Sequence, residues 1–301
     1  MLSVRFWGVR GSIPCPGPDT VIFGGNTSCL EIRADEKLII VDLGTGLRVL
    51  GDWLRENDQI KYGKIDADIF LTHTHWDHIM GFPMFTPIYL SGTNLRITGP
   101  MSYEEDSLKV IIENQLSYRY WPVRAGELAA HIEYNQINET TLDLGNGLTV
   151  TSKYLNHPVS CMGYRFNYRG KSIASVYDHE PFRNLFLTGP GEDGYDEQAA
   201  KEGEIAAAEE NEKIINFLRG ADIVIHDAQY TQDEYPRHIG WGHASCEHAA
   251  KTAQAAGAGK LVFFHHDPGH TDSRLEQIEK SYANKMSVPI VTAREGMVLE
   301  A

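Results

Sequence analysis

Apolar and polar residues alternate, or form short apolar runs, at many points of the chain. This pattern predicts strands at 4–7, 28–33, 37–41, 67–72, 131–136, 148–154, 164–168, 171–176, 221–225 and 260–264. Apolar residues at helical spacing predict helices at 46–57, 104–116, 197–219 and 245–256. Sheet segments alternate with helices in two loosely similar halves, and no linker or repeat interrupts them. We therefore predict one α/β sandwich domain over residues 1–301.

The predicted strand at 67–72 leads directly into a cluster of histidines, in the sequence His-x-His-x-Asp-His. A strand places alternate side chains on the same side, so His73 and His75 can bind one metal ion. A turn of the chain after Thr74 brings Asp77 and His78 towards a second ion. Imidazole and carboxylate groups are the ligands expected for zinc, manganese or iron. The sequence therefore predicts a site for two neighbouring cations.

This motif after an apolar strand resembles the metallo-β-lactamase fold superfamily. The resemblance implies an αββα sandwich, in which two mixed sheets are flanked by helices. Residues 6–14 and 24–29 are similar to the start of the ribonuclease Z-like branch of that superfamily. Residues 41–46 resemble the first motif of the family, whose aspartate, here Asp42, supports the metal-binding loop. Further motifs follow in the family's order as far as about residue 270, so the resemblance covers nearly the whole chain.

The resemblance also implies the metal ligands. Those of the first ion are His73, His75 and His157, those of the second are Asp77, His78 and His265, and Asp178 bridges the two ions. His265 is followed by a second histidine, and adjacent side chains of a strand point in opposite directions. We expect His265 to be the ligand, and His266 to lie behind the ligands or to face the substrate.

Two further motifs narrow the expected chemistry. Residues 226–228 and 242–245 look like paired motifs of the ribonuclease Z-like phosphodiesterases, in which an acidic residue orients a histidine that does not bind metal. A carboxylate that accepts a hydrogen bond from an imidazole fixes its tautomer and raises its pKa, which suits a general acid. We expect Asp227 and His243 to be the catalytic pair. Asp77 is counted among the catalytic residues as well as among the ligands.

These motifs together predict a dinuclear-metal phosphodiesterase, in which a metal-bridging hydroxide attacks the phosphorus atom and His243 protonates the leaving oxygen. The cofactors are two divalent metal ions, zinc in the first place and manganese as the alternative. We predict that the substrates are small cyclic phosphodiesters, with cyclic nucleotides first. A ribonuclease Z-like RNA endonuclease and an iron-dependent oxidoreductase of the same fold are the alternatives.

The charge of the chain affects the choice of partners. It has 41 acidic and 27 basic residues, and a formal net charge of −14. Such a charge would repel a long nucleic acid unless basic residues were clustered. The protruding basic arm of ribonuclease Z has no counterpart, and the acidic stretch 191–212 occupies the region where it is expected. We therefore predict a small-molecule substrate, no long nucleic acid, no membrane partner and a homodimer.

The remaining sequence features concern the cellular location of the protein and the residues around the predicted substrate site. The cysteines at 15, 29, 161 and 246 form no paired pattern, and no apolar run approaches the roughly 18 residues that a bilayer span needs. Both observations predict a cytoplasmic protein. The aromatic-rich segment 101–125 is predicted to be an insertion, either a lid or a dimer surface. Trp7 and Trp241, beside the predicted site loops, could stack on a nucleobase.

Overall fold

A computed structural model describes residues 1–101, 106–186, 189, 191, 193–283 and 285–301. In this described part, fourteen strands form two sheets of seven strands each. In chain order the strands are β1 (Leu2–Gly8), β2 (Cys29–Ala34), β3 (Lys37–Val41), β4 (Ile65–Phe70), β5 (Thr93–Pro100), β6 (His131–Ile137), β7 (Thr141–Asp143), β8 (Leu148–Tyr154), β9 (Met162–Tyr168), β10 (Lys171–Val176), β11 (Ile223–Asp227), β12 (Leu261–Phe264), β13 (Ile290–Thr292) and β14 (Val298–Glu300).

Both sheets are mixed, and they have matching topologies. The first has the order β14-β1-β2-β3-β4-β5-β6, with antiparallel pairs from β14 to β3 and parallel pairs from β3 to β6. The second has the order β13-β12-β11-β10-β9-β8-β7, parallel from β13 to β10 and antiparallel beyond. The two loosely similar halves expected from the sequence correspond to these two sheets.

Helices cover the outer face of each sheet. The α-helices are α1 (Gly46–Glu56), α2 (Asp58–Tyr62), α3 (Trp76–Ile79), α4 (Leu108–Asn114), α5 (Glu197–Leu218), α6 (Cys246–Ala255) and α7 (Asp272–Tyr282). Short 3-10 helices lie at Pro18–Thr20, Phe82–Met84, Thr86–Tyr89, Ala125–Glu127 and Tyr235–Arg237. Apolar side chains of α1 and α4 pack on the first sheet, and those of α5, α6 and α7 pack on the second. The predicted αββα sandwich is confirmed.

The central core lies between the two sheets. Side chains from the inner faces of both sheets are buried there, and aromatic pairs join them. The rings of Phe70 and Tyr164 are 5.2 Å apart, and those of Phe6 and Phe264 are 6.0 Å apart. Aromatic pairs at such distances add to the stability that the burial of apolar surface provides. This core holds the ends of β4, β10 and β12 at one edge of the sandwich.

Some elements differ from the pattern-based predictions. The helix predicted at 104–116 is α4, which begins only at Leu108, and residues 102–105 lie outside the described part of the chain. β5, β7, β13, β14, α2, α3 and α7 were not predicted. Most of them are short, and a three-residue strand carries no period that a sequence could reveal. The predicted insertion at 101–125 lies in the connection between the parallel neighbours β5 and β6. Its role and the single-domain organisation stay predictions.

Two features of the described residues bear on the other sequence-based expectations. None of the helices that the structure describes is both long and apolar enough to cross a membrane. The four cysteines are free thiols, and all but Cys15 are buried.

A tight approach between two loops positions the site. The backbone N of Leu43 donates to the carbonyl of His78 (2.7 Å), and that of Gly81 donates to the carbonyl of Leu43 (2.8 Å). A Cβ atom on Gly81 would lie 2.0 Å from the carbonyl oxygen of Gly44. Only glycine fits this contact, since the obstacle is backbone.

We predict that Gly81→Ala lowers the free energy of unfolding by about 1 to 3 kcal/mol, because the backbone must shift to admit the methyl group. Gly126→Ala is the matched control, since a Cβ there meets nothing within 4 Å. Urea denaturation of both variants measures the difference. Equal midpoints for the two variants would contradict the prediction.

Candidate active site

The loop after β4 carries the first histidines of the site. β4 ends at Phe70, two residues before the predicted end of the strand, so His73 and His75 lie in the loop that follows and not on an extended strand. The strand prediction was wrong at this end because the backbone N of Thr72 donates to Oδ1 of Asp42 (2.7 Å). A side chain therefore takes the place of the neighbouring strand.

The first group of metal-ligand atoms comes from three loops. His73, His75, His157 and Asp178 each offer one ligand atom, and these atoms lie within 4.8 Å of one another. Nε2 of His157 is 3.1 Å from Nδ1 of His75. Oδ2 of Asp178 is 3.5 Å from Nε2 of His73 and 3.7 Å from Nε2 of His157. The fold thus brings together residues separated by more than 100 positions in the sequence.

The second group begins on α3, the short helix that starts immediately after His75. It comprises Asp77, His78 and His265, again with ligand atoms within 4.8 Å of one another. Nε2 of His78 is 3.3 Å from Nε2 of His265 and 3.2 Å from Oδ2 of Asp77. His265 follows the last residue of β12 and has a left-handed backbone, with φ of +62°. All three side chains are buried.

Asp178 lies between the two groups. Its Oδ2 faces His73 and His157, while its Oδ1 is 3.2 Å from Nε2 of His78 and 3.1 Å from Nε2 of His265. Asp178 also has a left-handed backbone, with φ of +57°. For a residue other than glycine this conformation costs about 1 to 3 kcal/mol, and it occurs mainly at functional sites. One carboxylate is therefore shared between both sets of donors.

The ligand atoms of the two groups do not satisfy one another by hydrogen bonding, and their surroundings favour a cation. Nε2 of His73 and Oδ1 of Asp178 are buried without a hydrogen-bond partner, since the short contacts of Oδ1 lack hydrogen-bond geometry. Burial holds the pKa of His73 well below its usual range, so the ring is in the neutral form that binds metal. Burial also lowers the pKa of His78, but the charges of Asp178, Asp77 and Asp42 outweigh it and raise that pKa well above the ordinary value. The site thus favours positive charge.

Hydrogen bonds made by the Nδ1 atoms, on the side of the rings away from the cluster, orient two of the histidines. Nδ1 of His78 donates to Oδ2 of Asp42 (2.8 Å), which is the supporting position expected for that aspartate. Nδ1 of His157 donates to the backbone carbonyl of Gly242 (3.0 Å). In each ring the bond leaves Nε2 free to face the cluster, an arrangement that is usual for metal-binding histidines.

Two further orienting groups were missed in the sequence. Oε1 of Gln229 accepts a hydrogen bond from Nδ1 of His265 (2.9 Å), and the backbone N of Ser12 donates to Oδ2 of Asp77 (2.7 Å). Gln229 lies two residues after Asp227, and Ser12 lies in the glycine-rich segment 6–14. Only this nearness to recognised motifs could have indicated them.

The predicted acid pair lies beside both groups. Nδ1 of His243 donates to Oδ2 of Asp227 (2.8 Å). The ring of His243 is 4.9 Å from that of His265 and 5.4 Å from that of His157, measured between ring centres. Burial lowers the pKa of His243, but the charge of Asp227 and the hydrogen bond to it outweigh this and raise the pKa to about 9.

Ligand atoms of Asp178, Asp227, His243 and His265 also lie within 4.8 Å of one another, so distance alone would admit a third arrangement of ligands. Hydrogen bonds argue against it. Besides the bond to His243, Asp227 accepts one from the backbone N of Gln229 (3.0 Å) and one from that of His179 (3.3 Å). A carboxylate with three donors has little remaining capacity to bind a metal ion.

The other residues singled out in the sequence lie at different places. His266 is buried, and its Nε2 donates to the carbonyl of Ala293 (2.9 Å), on the side away from the ligands. Trp7 is buried and donates to Glu31 (2.8 Å), so it cannot stack on a base. Trp241 is 62% exposed and is free to do so.

The comparisons with known proteins agree on the fold. A family model described as the metallo-beta-lactamase superfamily matches residues 22–89. Ribonuclease Z of Prochlorococcus marinus is 25% identical over 303 residues, which cover 91% of each chain. The metallo-beta-lactamase fold protein YhfI from Bacillus subtilis has a TM-score of 0.66 and 18% identity, covering 100% of this chain and 99% of that one. The short form of human tRNase Z has a TM-score of 0.62 and 19% identity, with coverages of 99% and 98%.

One expectation is wrong in view of these relatives. The sequence predicted that no long nucleic acid is a partner, yet a relative aligned over 91% of this chain is a ribonuclease. The prediction rested on the net charge, which sums the whole surface and does not describe the local field where a substrate binds. The fold, the paired donor groups and these relatives lead to one conclusion: this chain is a metal-dependent hydrolase with a metallo-beta-lactamase superfamily domain, and it is similar to ribonuclease Z along most of its length.

Proposed function

We propose that this chain is a dinuclear-metal phosphodiesterase that cleaves RNA, as the name of its ribonuclease Z relatives suggests for them. The observation that carries the proposal is the pair of donor groups that share Asp178, with His243 beside them. In two-metal sites the ions stand about 3.5–4 Å apart, and one shared carboxylate suits that spacing. We infer that His73, His75 and His157 hold one ion, that Asp77, His78 and His265 hold the other, and that Asp178 binds both.

Bound divalent cations lower the pKa of a water molecule and neutralise charge on a phosphodiester. The chain's own residues complete the chemistry. Asp227 holds the Nδ1 proton of His243, so the Nε2 of that ring points towards the cluster. The raised pKa keeps His243 protonated at neutral pH, and its Nε2 proton is the one donated to the leaving oxygen. Ser12, through its backbone N, and Gln229 hold Asp77 and His265 in place.

A second candidate substrate is a small cyclic phosphodiester, with cyclic nucleotides first. A cavity of about 280 Å³ borders His157, and a cavity of this size suits a small ligand. A panel of transfer RNA precursor, short RNA, 2′,3′- and 3′,5′-cyclic nucleotides and bis(p-nitrophenyl) phosphate separates the two candidates. Two bound metal ions with no hydrolysis of any diester would contradict both. Zinc as the native metal, with manganese as the alternative, and the homodimer stay predictions.

Metal content tests the proposed ligands directly. We predict that the wild type binds two divalent ions per chain after loading with zinc and gel filtration, and that His265→Ala binds about one. His131→Ala, which alters an exposed histidine far from the cluster along β6, should still bind two. Elemental analysis of the folded variants gives the counts. Two ions in His265→Ala would rule out this residue as a ligand.

The acid role of His243 is tested by the leaving group. We predict that His243→Ala slows cleavage of a dinucleotide, whose alkoxide leaves poorly, by about 10²- to 10⁴-fold. The rate of cleavage of bis(p-nitrophenyl) phosphate should fall far less, because p-nitrophenolate leaves without needing a proton. Steady-state kinetics of the wild type and the variant on both substrates measure the loss of rate for each leaving group.

The same variant distinguishes an acid from a ligand. With an acid role, the metal content of His243→Ala stays at the wild-type value and Asp227→Asn shows the same leaving-group dependence in weaker form. Equal losses on both substrates would refute the acid role. A drop in metal content would instead assign His243 to the ligands.

A further inference from the structure

The cavity beside His157 has a composition that points to a specific ligand. It is lined by Asn156, His157, Glu180, Phe182, Arg183 and Gly242, among others. We propose that this cavity holds the nucleotide next to the scissile bond, and that Arg183 binds the further phosphate carried by that nucleotide. This inference rests on the proposed function, because it takes a nucleic acid diester as the substrate.

The position of the cavity connects it to the reacting groups. His157 belongs to the first donor group, and Gly242 immediately precedes His243. A ligand in the cavity is therefore beside one proposed metal ion and beside the proposed acid. Its volume of about 280 Å³ is slightly below the range of drug-sized ligand pockets, which begins at about 300 Å³. A space of this size suits a single small ligand and excludes a folded RNA segment.

The charged wall of the cavity is preorganised. Glu180 is 3% exposed, and its carboxylate accepts hydrogen bonds from the backbone N atoms of Gly240 (2.8 Å) and Gly242 (2.9 Å) and from the hydroxyl of Tyr235 (3.1 Å). These donors compensate its negative charge, so Glu180 repels a phosphate less than a free carboxylate would. The bonds also hold Gly242, whose carbonyl orients His157.

The apolar wall suits a nucleobase. Phe182 and Leu185 line the cavity, and Leu185 is 80% exposed. Trp241, between the lining residues Gly240 and Gly242, is 62% exposed. Exposed apolar and aromatic side chains that border a polar site provide stacking surface for bases without regard to sequence. The cavity therefore combines a surface for a base with a position for a phosphate.

Arg183 provides the phosphate position. Its side chain is exposed, and it forms no ion pair with a carboxylate among the residues that the structure describes. Its Nη2 is 3.6 Å from the position of a Cβ on Gly240, so the guanidinium lies against the glycine loop. An unpaired arginine is available to donate bidentate hydrogen bonds to a phosphate. On a chain with a net charge of −14, such a cation provides a local attraction for an anion.

Dinucleotides with and without an extra phosphate test the proposal. The substrates are UpU, pUpU and UpUp, and the enzymes are the zinc-loaded wild type, Arg183→Ala and the control Arg55→Ala, which alters an exposed arginine on α1. We expect one of the two added phosphates to lower KM about tenfold in the wild type and in Arg55→Ala, with kcat within about twofold. Arg183→Ala should lose that gain, so that its KM is about the same for the substrates with and without the extra phosphate.

The outcomes separate this inference from the proposed function. Hydrolysis of all three substrates with equal KM in the wild type overturns the role of the cavity alone. If the added phosphate lowers KM as much in Arg183→Ala as in the wild type, the proposed role of Arg183 is wrong. If the wild type carries two metal ions and cleaves none of the three, the proposed function fails and the inference fails with it.

Discussion

The whole site depends on the burial of imidazole nitrogens and carboxylate oxygens that lie against one another. Histidine nitrogens 3.1–3.3 Å apart, and a carboxylate oxygen without a hydrogen-bond partner, are unfavourable in a protein interior. The left-handed backbones of Asp42, Asp178 and His265 add to this cost. A native fold tolerates such an arrangement where it binds a ligand, and the pair of cations that we propose would relieve it. Asp178 is central, since its two oxygens serve the two groups.

The geometry of the cluster is maintained by groups that bind no metal. Asp42, Gln229 and the carbonyl of Gly242 each occupy Nδ1 of one histidine, so that Nε2 faces the site. Such partners determine the tautomer and the direction of a ligand, and their loss usually weakens metal binding. Because one of them is a backbone carbonyl, the loop at 240–242 is part of the metal site as well as of the cavity wall. The buried carboxylate of Glu180 therefore affects both through that loop.

The net charge and the local charge of the chain serve different purposes. A total of −14 opposes non-specific contact with polyanions, while two divalent cations would add about +4 where the reaction takes place. Ribonuclease Z of Prochlorococcus marinus aligns with 91% of this chain, so the net charge by itself does not exclude an RNA substrate. In the proposed function, the electrostatic field and the shape of the surface near the metal ions select the substrate, and Arg183 is the cation that we propose to bind it.

The sequence by itself determined ten of the fourteen described strands and the residue types of the cluster, because apolar periodicity and a dense His-x-His-x-Asp-His motif are local features. The αββα sandwich followed from the resemblance to one family. The sequence also indicated the distant partners His157, Asp178 and His265, through motifs that follow one family's order. The tertiary structure alone decided which oxygen of Asp178 faces which group, which nitrogen of each histidine is free, and that Trp7 is buried while Trp241 is exposed. Gln229, Ser12, Glu180 and Arg183 could not be found by pattern, since their roles arise from contacts between segments far apart in the chain. These residues lie in loops, and contacts between loops leave no periodic trace in the sequence.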